Sequence, residues 1–247
     1  MAACIFVGPT LPYLPKLEGI DYYGPAHQGS VLKAYSYGYR VFGLIDGYFG
    51  NVPSVWHKEI LYVLSKGARV YGAASMGALR AAELYPYGMQ GVGLIFALYR
   101  RSILTDDDEV CVLHAPAELD YRSLTIALVD IRLTLRKLVR VGHLDPCDAK
   151  GIFDTMKGLH FSERTEEIFH GVVASCTSGC KFFPELISGK DFLVNAKMAD
   201  AKKLLEKIRE IDDRSCERSW DFPLTSHFEK QFVVEFCDIP ENVARAQ

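Results

Sequence analysis

A chain of 247 residues with 49% hydrophobic and 24% charged side chains has enough apolar surface to bury a full core, as one large domain or one and a half. Its net charge of −3 lacks the concentrated basic surface that a phosphate backbone requires, and no run of apolar residues is long enough to span a bilayer, so neither nucleic acid nor membrane is an expected partner. Seven cysteines, an odd count in a chain too large to need staples, and an N-terminus without a basic segment predict a cytoplasmic protein with reduced thiols, no structural metal and no bound cofactor.

In chain order, Cys4–Val7 predicts a short buried strand ending in Gly-Pro-Thr10, and Gln28–Tyr37 a weak helix. Tyr39–Ile45 predicts a second strand ending at Asp46-Gly47, followed by a strongly periodic helix over Ser54–Lys66. Pro53-Ser54 reads as its N-cap, with Trp56 and His57 in the first turn. Ala68–Ala73 predicts a third strand ending at Ser75, then helices over Met76–Tyr85 and Val92–Arg101 and a fourth strand over Val110–Leu113 that His114 closes. Buried strands alternating with helices predict an α/β fold with a small, doubly wound, mostly parallel sheet.

Composition shifts near residue 120. All 13 tyrosines lie between Tyr13 and Tyr121, while charged residues number 20 in residues 1–120 and 39 in the remainder. Residues 1–120 are therefore expected to form the α/β core domain and 121–247 a mainly helical C-terminal region packed on it. Helices are predicted over Tyr121–Val141, Pro146–Lys157, Glu163–His170 and Asn195–Ile211, and Phe232-Val-Val-Glu-Phe reads as an edge strand or a docking tail.

Ligands of an open parallel sheet bind beyond the carboxyl ends of its strands, the edge to which these runs deliver Thr10, Asp46, Ser75 and His114. Ser75 follows a strand, is flanked by alanine and glycine and opens a helix, which suits either a nucleophile on a sharp strand-to-helix turn or a plain helix cap. His114 and His57 are the candidate general bases, each equally readable as a structural histidine. Asp46 either orients an imidazole or closes a tight turn with Gly47. Arg80 and Glu83 stand at i,i+3, the spacing of a surface ion pair, with Glu83 roughly on the face of Ser75. Thr105-Asp-Asp-Asp-Glu109 reads as a solvated turn rather than a metal cluster. Gly24-Pro-Ala-His-Gln-Gly29-Ser30 lacks the lysine of a phosphate loop, and Gly88-Met-Gln-Gly91-Val-Gly93 reverses the dinucleotide spacing and follows a helix.

Taken together, Gly43-Leu-Ile-Asp-Gly47, Val55-Trp-His-Lys-Glu-Ile-Leu61, Gly72-Ala-Ala-Ser-Met-Gly-Ala-Leu-Arg-Ala-Ala-Glu-Leu84, Gly88-Met-Gln-Gly-Val-Gly93 and Asp106-Asp-Asp-Glu-Val-Cys-Val-Leu-His114 resemble the TfuA-like family. The resemblance implies a partner of a YcaO-type ATP-dependent enzyme in peptide or protein backbone thioamidation. It implies release or delivery of sulfide by hydrolysis of a thiocarboxylated ubiquitin-like sulfur carrier; an adaptor that recruits the carrier or activates the enzyme is the alternative. In such a hydrolase Ser75 or an activated water attacks, His114 or His57 takes the proton with Asp46 orienting it, and the Met76 N–H holds the oxyanion. Arg80, Glu83, Met76 and Gly47 are the expected substrate-binding residues. The cysteines fall in none of the shared functional positions, so no persulfide intermediate is expected.

Overall fold

The computed structural model describes residues 2–50, 52–176, 193–211 and 220–230. The Phe232-Val-Val-Glu-Phe run and Cys180, Cys216 and Cys237 lie outside them. Strands β1 (Ala3–Phe6), β2 (Ile20–Tyr23), β3 (Val41–Leu44), β4 (Arg69–Ala73) and β5 (Gln90–Val92) form one all-parallel sheet in the order β2-β1-β3-β4-β5. Successive side chains of a strand point to opposite faces, so a central strand covered on both sides is apolar throughout. In β1, Cys4 and Phe6 join one core cluster and Ala3 and Ile5 the other.

The first cluster packs the sheet against α1 (Ser30–Ser36), α2 (His57–Ser65) and α3 (Met76–Leu84) through Val31, Leu32, Ile60, Val63, Met76, Ala81 and Leu84. The helix α4 (Gly93–Arg100) follows β5. Then α5 (Leu128–Arg140), α6 (Pro146–Gly158) and α7 (Glu166–Cys176) share a core of their own, built on Leu128, Ile131, Leu135, Ile152, Met156, Phe169 and Val173. The chain returns as α8 (Ala196–Arg209), which lays Ala201, Leu204, Leu205 and Ile208 across the second face of the sheet. The doubly wound fold is thus completed from the C-terminal, helical part of the chain.

Strands β1, β3 and β4 and the helices α1 to α4, α6 and α8 lie where the sequence predicts them. Four expectations are corrected. Val110–Leu113 is not a strand of the sheet: it leaves a 3-10 turn at Asp107–Glu109 and reaches His114, which forms an isolated antiparallel bridge with Ser123. That pairing holds residues 121–127 out of α5, which begins only at Leu128. Trp56, not Ser54, caps α2: its N–H donates to the Glu59 carboxylate at 2.8 Å, while the Ser54 hydroxyl donates to the Tyr48 carbonyl. The acidic turn is not merely solvated, because Asp106 pairs with Lys157, Asp108 with Arg164, and the buried Glu109 with Arg132. These pairs fasten the turn to the helical region.

Candidate functional site

A 2-1-3-4-5 sheet reverses its winding between β1 and β3, and the crevice beyond their carboxyl ends is where such folds bind ligands. Asp46 follows β3 at that point and is 2% exposed. Its Oδ2 accepts the Gly8 and Thr10 N–H groups at 2.8 and 3.0 Å, and its Oδ1 accepts the Thr10 hydroxyl at 2.6 Å. Every oxygen of this carboxylate is committed to the loop leaving β1, so Asp46 ties the two strand ends together. No imidazole among the described residues bonds to it.

One strand further, β4 turns into α3 within two residues. Ala74 takes the left-handed region at φ 66°, a conformation that L-residues other than Asn, Asp and His seldom adopt and that sharpens the turn. The helix then enters very close to β3: the Gly77 N–H donates to the Ile45 carbonyl, and a Cβ on Gly77 would stand 1.8 Å from the Leu44 carbonyl oxygen. Gly72 is similarly confined by the Gly77 carbonyl. The small residues around Ser75 are therefore required by the close approach of backbone to backbone.

Ser75 sits at the N-cap of α3 but makes no side-chain cap bond. It is 4% exposed, and its hydroxyl donates a long bond of 3.4 Å to the Val110 carbonyl. The Ser75 carbonyl accepts the Ala78 and Leu79 amides, whereas the Met76 N–H has no acceptor among the described residues. That free amide at a helix N-terminus is the donor an oxyanion would need. Met76 itself is buried against Gly47.

The two candidate bases stand apart from Ser75. His57, the first residue of α2, bonds through Nε2 to Glu83 Oε2 at 2.8 Å, and Glu83 also receives Arg80 Nη1 at 2.7 Å. Arg80 Nε donates to the Val55 carbonyl. Burial would raise the Glu83 carboxyl, but the His57 hydrogen bond and the Arg80 charge hold it below the ordinary carboxylate range. Arg80 and Glu83 border a broad cavity of about 570 Å³ lined also by Phe49, Met76, Asp106 and Lys157. His114 bonds through Nδ1 to the Ala115 carbonyl and stands between the rings of Tyr48 and Tyr121, at 5.6 and 5.8 Å. The edge thus gathers Thr10 with Asp46, while His57 joins Glu83 and Arg80 on the flank of α2 and α3; neither imidazole comes into hydrogen-bond contact with Ser75.

Sequence reasoning missed the group that does stand beside Ser75. Lys197, on the first turn of α8, donates from Nζ to the same Val110 carbonyl at 2.9 Å and is 4% exposed. Asp130, on α5, accepts the Ala196 N–H at 2.8 Å, and burial pushes its carboxyl up to about 6 against the attraction of Lys197. Of the thiols, Cys4 and Cys111 are buried and burial pushes both up, Cys111 to about 12, far from a reactive thiolate. Among the described residues no cluster of histidine, cysteine and carboxylate side chains is arranged to hold a metal ion, and no helix is long and apolar enough to cross a membrane. Residues 46–165 match the family model described as TfuA-like protein, a stretch that includes Asp46, the Ser75 turn, the acidic turn and His114. No curated protein matches the chain.

Proposed function

We propose that this protein, TfuA-like over residues 46–165, serves a YcaO-type enzyme in backbone thioamidation by hydrolysing the thiocarboxylated end of a ubiquitin-like sulfur carrier to supply sulfide. The reading is carried by the Ser75 turn: a left-handed Ala74, a hydroxyl at the mouth of α3 and an unengaged Met76 amide, all at the carboxyl edge of a parallel sheet. The overall reaction is R–COS⁻ + H₂O → R–COO⁻ + H₂S. In the serine version the Ser75 oxygen bonds to the acyl carbon, the C–S bond breaks with sulfur leaving as protonated sulfide, and water then splits the acyl ester. The oxyanion of each tetrahedral intermediate is held by the Met76 amide. His114 and His57 remain candidates for moving the proton, each needing a shift toward the turn once substrate is bound.

The test is sulfide release from a thiocarboxylated carrier. Ser75→Ala is expected to lower kcat by at least about a hundredfold with little change in KM, the signature of a group acting only in the transition state. Undiminished release by that variant leaves an activated water as the nucleophile and removes Ser75 from the chemistry. The adaptor reading is favoured by one observation, the solvent exposure of Tyr13, Tyr23, Tyr37, Tyr85 and Tyr87, a side chain enriched at protein interfaces. A stoichiometric complex with the enzyme or carrier, with no sulfide released by the protein alone, establishes that reading instead.

A further inference from the structure

Between the loop leaving β1 and the N-terminal ends of α5 and α8 lies a second cavity of about 160 Å³, room for about five water molecules. Pro9 and Thr10 form one wall, Ser123 and Thr125 another, and Asp130 and Lys197 close it. It opens at the carboxyl end of β1, where the winding of the sheet reverses. Ser75 does not line it, but Ser75 and Lys197 meet on the one carbonyl oxygen of Val110.

Lys197 is left with N–H groups to spare in this cavity. An ammonium carries three N–H groups, and Lys197 gives one to Val110. No carboxylate of the described residues lies within ion-pair distance of it. Asp130, the acid that faces it, spends one oxygen on the Ala196 amide, and burial pushes its carboxyl up to about 6 while Lys197 draws it down. Thr10 has committed its hydroxyl to Asp46, and Thr125 accepts the Leu113 N–H and keeps its own O–H to donate. Ala127, the N-cap of α5, supplies no side-chain bond to the first-turn amides of that helix. A buried ammonium with unsatisfied N–H groups is costly to keep, and here it faces a small polar space with the Thr125 hydroxyl on its wall.

We propose that this cavity is a subsite for a small carboxylate-class anion, held by Lys197. The identity of that anion as the thiocarboxylate end of the acyl substrate rests on the function proposed above; the carboxylate preference of the cavity does not. Lys197 then supplies the cation expected of Arg80, whose guanidinium is already engaged by Val55 and Glu83. A subsite of this volume admits a chain end without side chains and excludes a bulky one.

The experiment titrates the full-length protein with glycylglycine and with its neutral amide, glycylglycinamide, followed by NMR or calorimetry. The wild type is expected to bind the carboxylate at least about thirtyfold more tightly than the amide, and Lys197→Met, which keeps the apolar stem, to bind both alike. Equal binding of the two dipeptides by the wild type, no binding of either, or a preference retained in Lys197→Met overturns the subsite. The wild-type comparison decides even where the variant does not fold. Sulfide assays separate the two proposals. A wild type that prefers the carboxylate but releases no sulfide keeps the subsite and loses the hydrolase, and one that releases sulfide without any preference does the reverse. If the bound anion is the reacting end, Lys197→Met also raises KM for the thiocarboxylated carrier by a similar factor; an unchanged KM restricts the cavity to other carboxylates.

Discussion

The carboxyl edge of the sheet and the outer flank of α2 and α3 each hold a carboxylate and a cation and partner them differently. At the edge, Asp46, Ser75 and Lys197 are all nearly inaccessible, and most of their partners are main-chain groups: the Gly8 and Thr10 amides for one, the Val110 carbonyl for the other two. On the flank, His57 and Glu83 are 46% and 37% exposed and bond to each other and to Arg80. Main-chain partners belong to the fold and are in place before any ligand arrives, whereas exposed side chains reorganise in water at little cost. The edge is therefore preorganised, and the flank is free to rearrange.

The largest expected effect breaks the edge directly. Asp46→Ala removes the acceptor for two buried amides and a buried hydroxyl, and each orphaned donor costs on the order of 1–3 kcal/mol. A loss of about 3–5 kcal/mol in urea denaturation is expected, with the β1–β3 loops losing amide protection first. A loss under 1 kcal/mol would mean that the loop after β1 is held by something other than this carboxylate, and the contrast with the flank would fail.

A second, smaller effect comes from Glu59, buried where the N-termini of α1 and α2 converge and accepting the Gly29, Val31 and Trp56 amides. Burial raises its carboxyl to about 7 even though those amides pull it down. The unfolded carboxyl titrates near 4.3, so between these values the folded state binds the extra proton and stability falls as pH rises from about 4.5 to about 7. Glu59 contributes on the order of 2–3 kcal/mol to that fall. Asp130, pushed up to about 6 by burial, has the same sign. Denaturation at pH 5 and pH 7.5 is expected to show most of the slope removed in Glu59→Gln and the Asp130 part retained; an unaltered slope would place the titration elsewhere.

How much of this was legible follows from where each signal lies. Strands β1, β3 and β4 are buried on both faces and so announce themselves as unbroken apolar runs, and their ends led directly to Thr10, Asp46 and Ser75 at one edge. The edge strands gave no such signal: Ile20-Asp-Tyr-Tyr is half exposed, and Gln90-Gly-Val is three residues with a glycine in the middle. Val110–Leu113 has strand composition, but its partners are the loop at residues 122–125, a long-range choice that no local pattern records. Lys197 was illegible for a related reason. It stands in α8 with Lys202, Lys203 and Lys207, and only the placement of α8 across the sheet buries it and leaves the others outside. Its acceptor is a backbone carbonyl, which leaves no mark on the sequence at all.

The smallest effect tests the flank. The Glu83 carboxyl is held below its unfolded value by His57 and Arg80 in spite of partial burial, so its contribution is present above about pH 4.3 and is lost as pH falls through the folded value. More than a third of the side chain is exposed, and water and salt screen the pair, so Glu83→Gln is expected to cost under about 1 kcal/mol at neutral pH. Denaturation in low and in molar salt checks it, the loss shrinking as salt rises. A loss of that kind leaves the geometry of His57, Arg80 and Glu83 to whatever docks on the flank, since the fold itself holds them only weakly. A salt-insensitive loss above about 2 kcal/mol would put this trio on the footing of Asp46 and make the flank a second preorganised site.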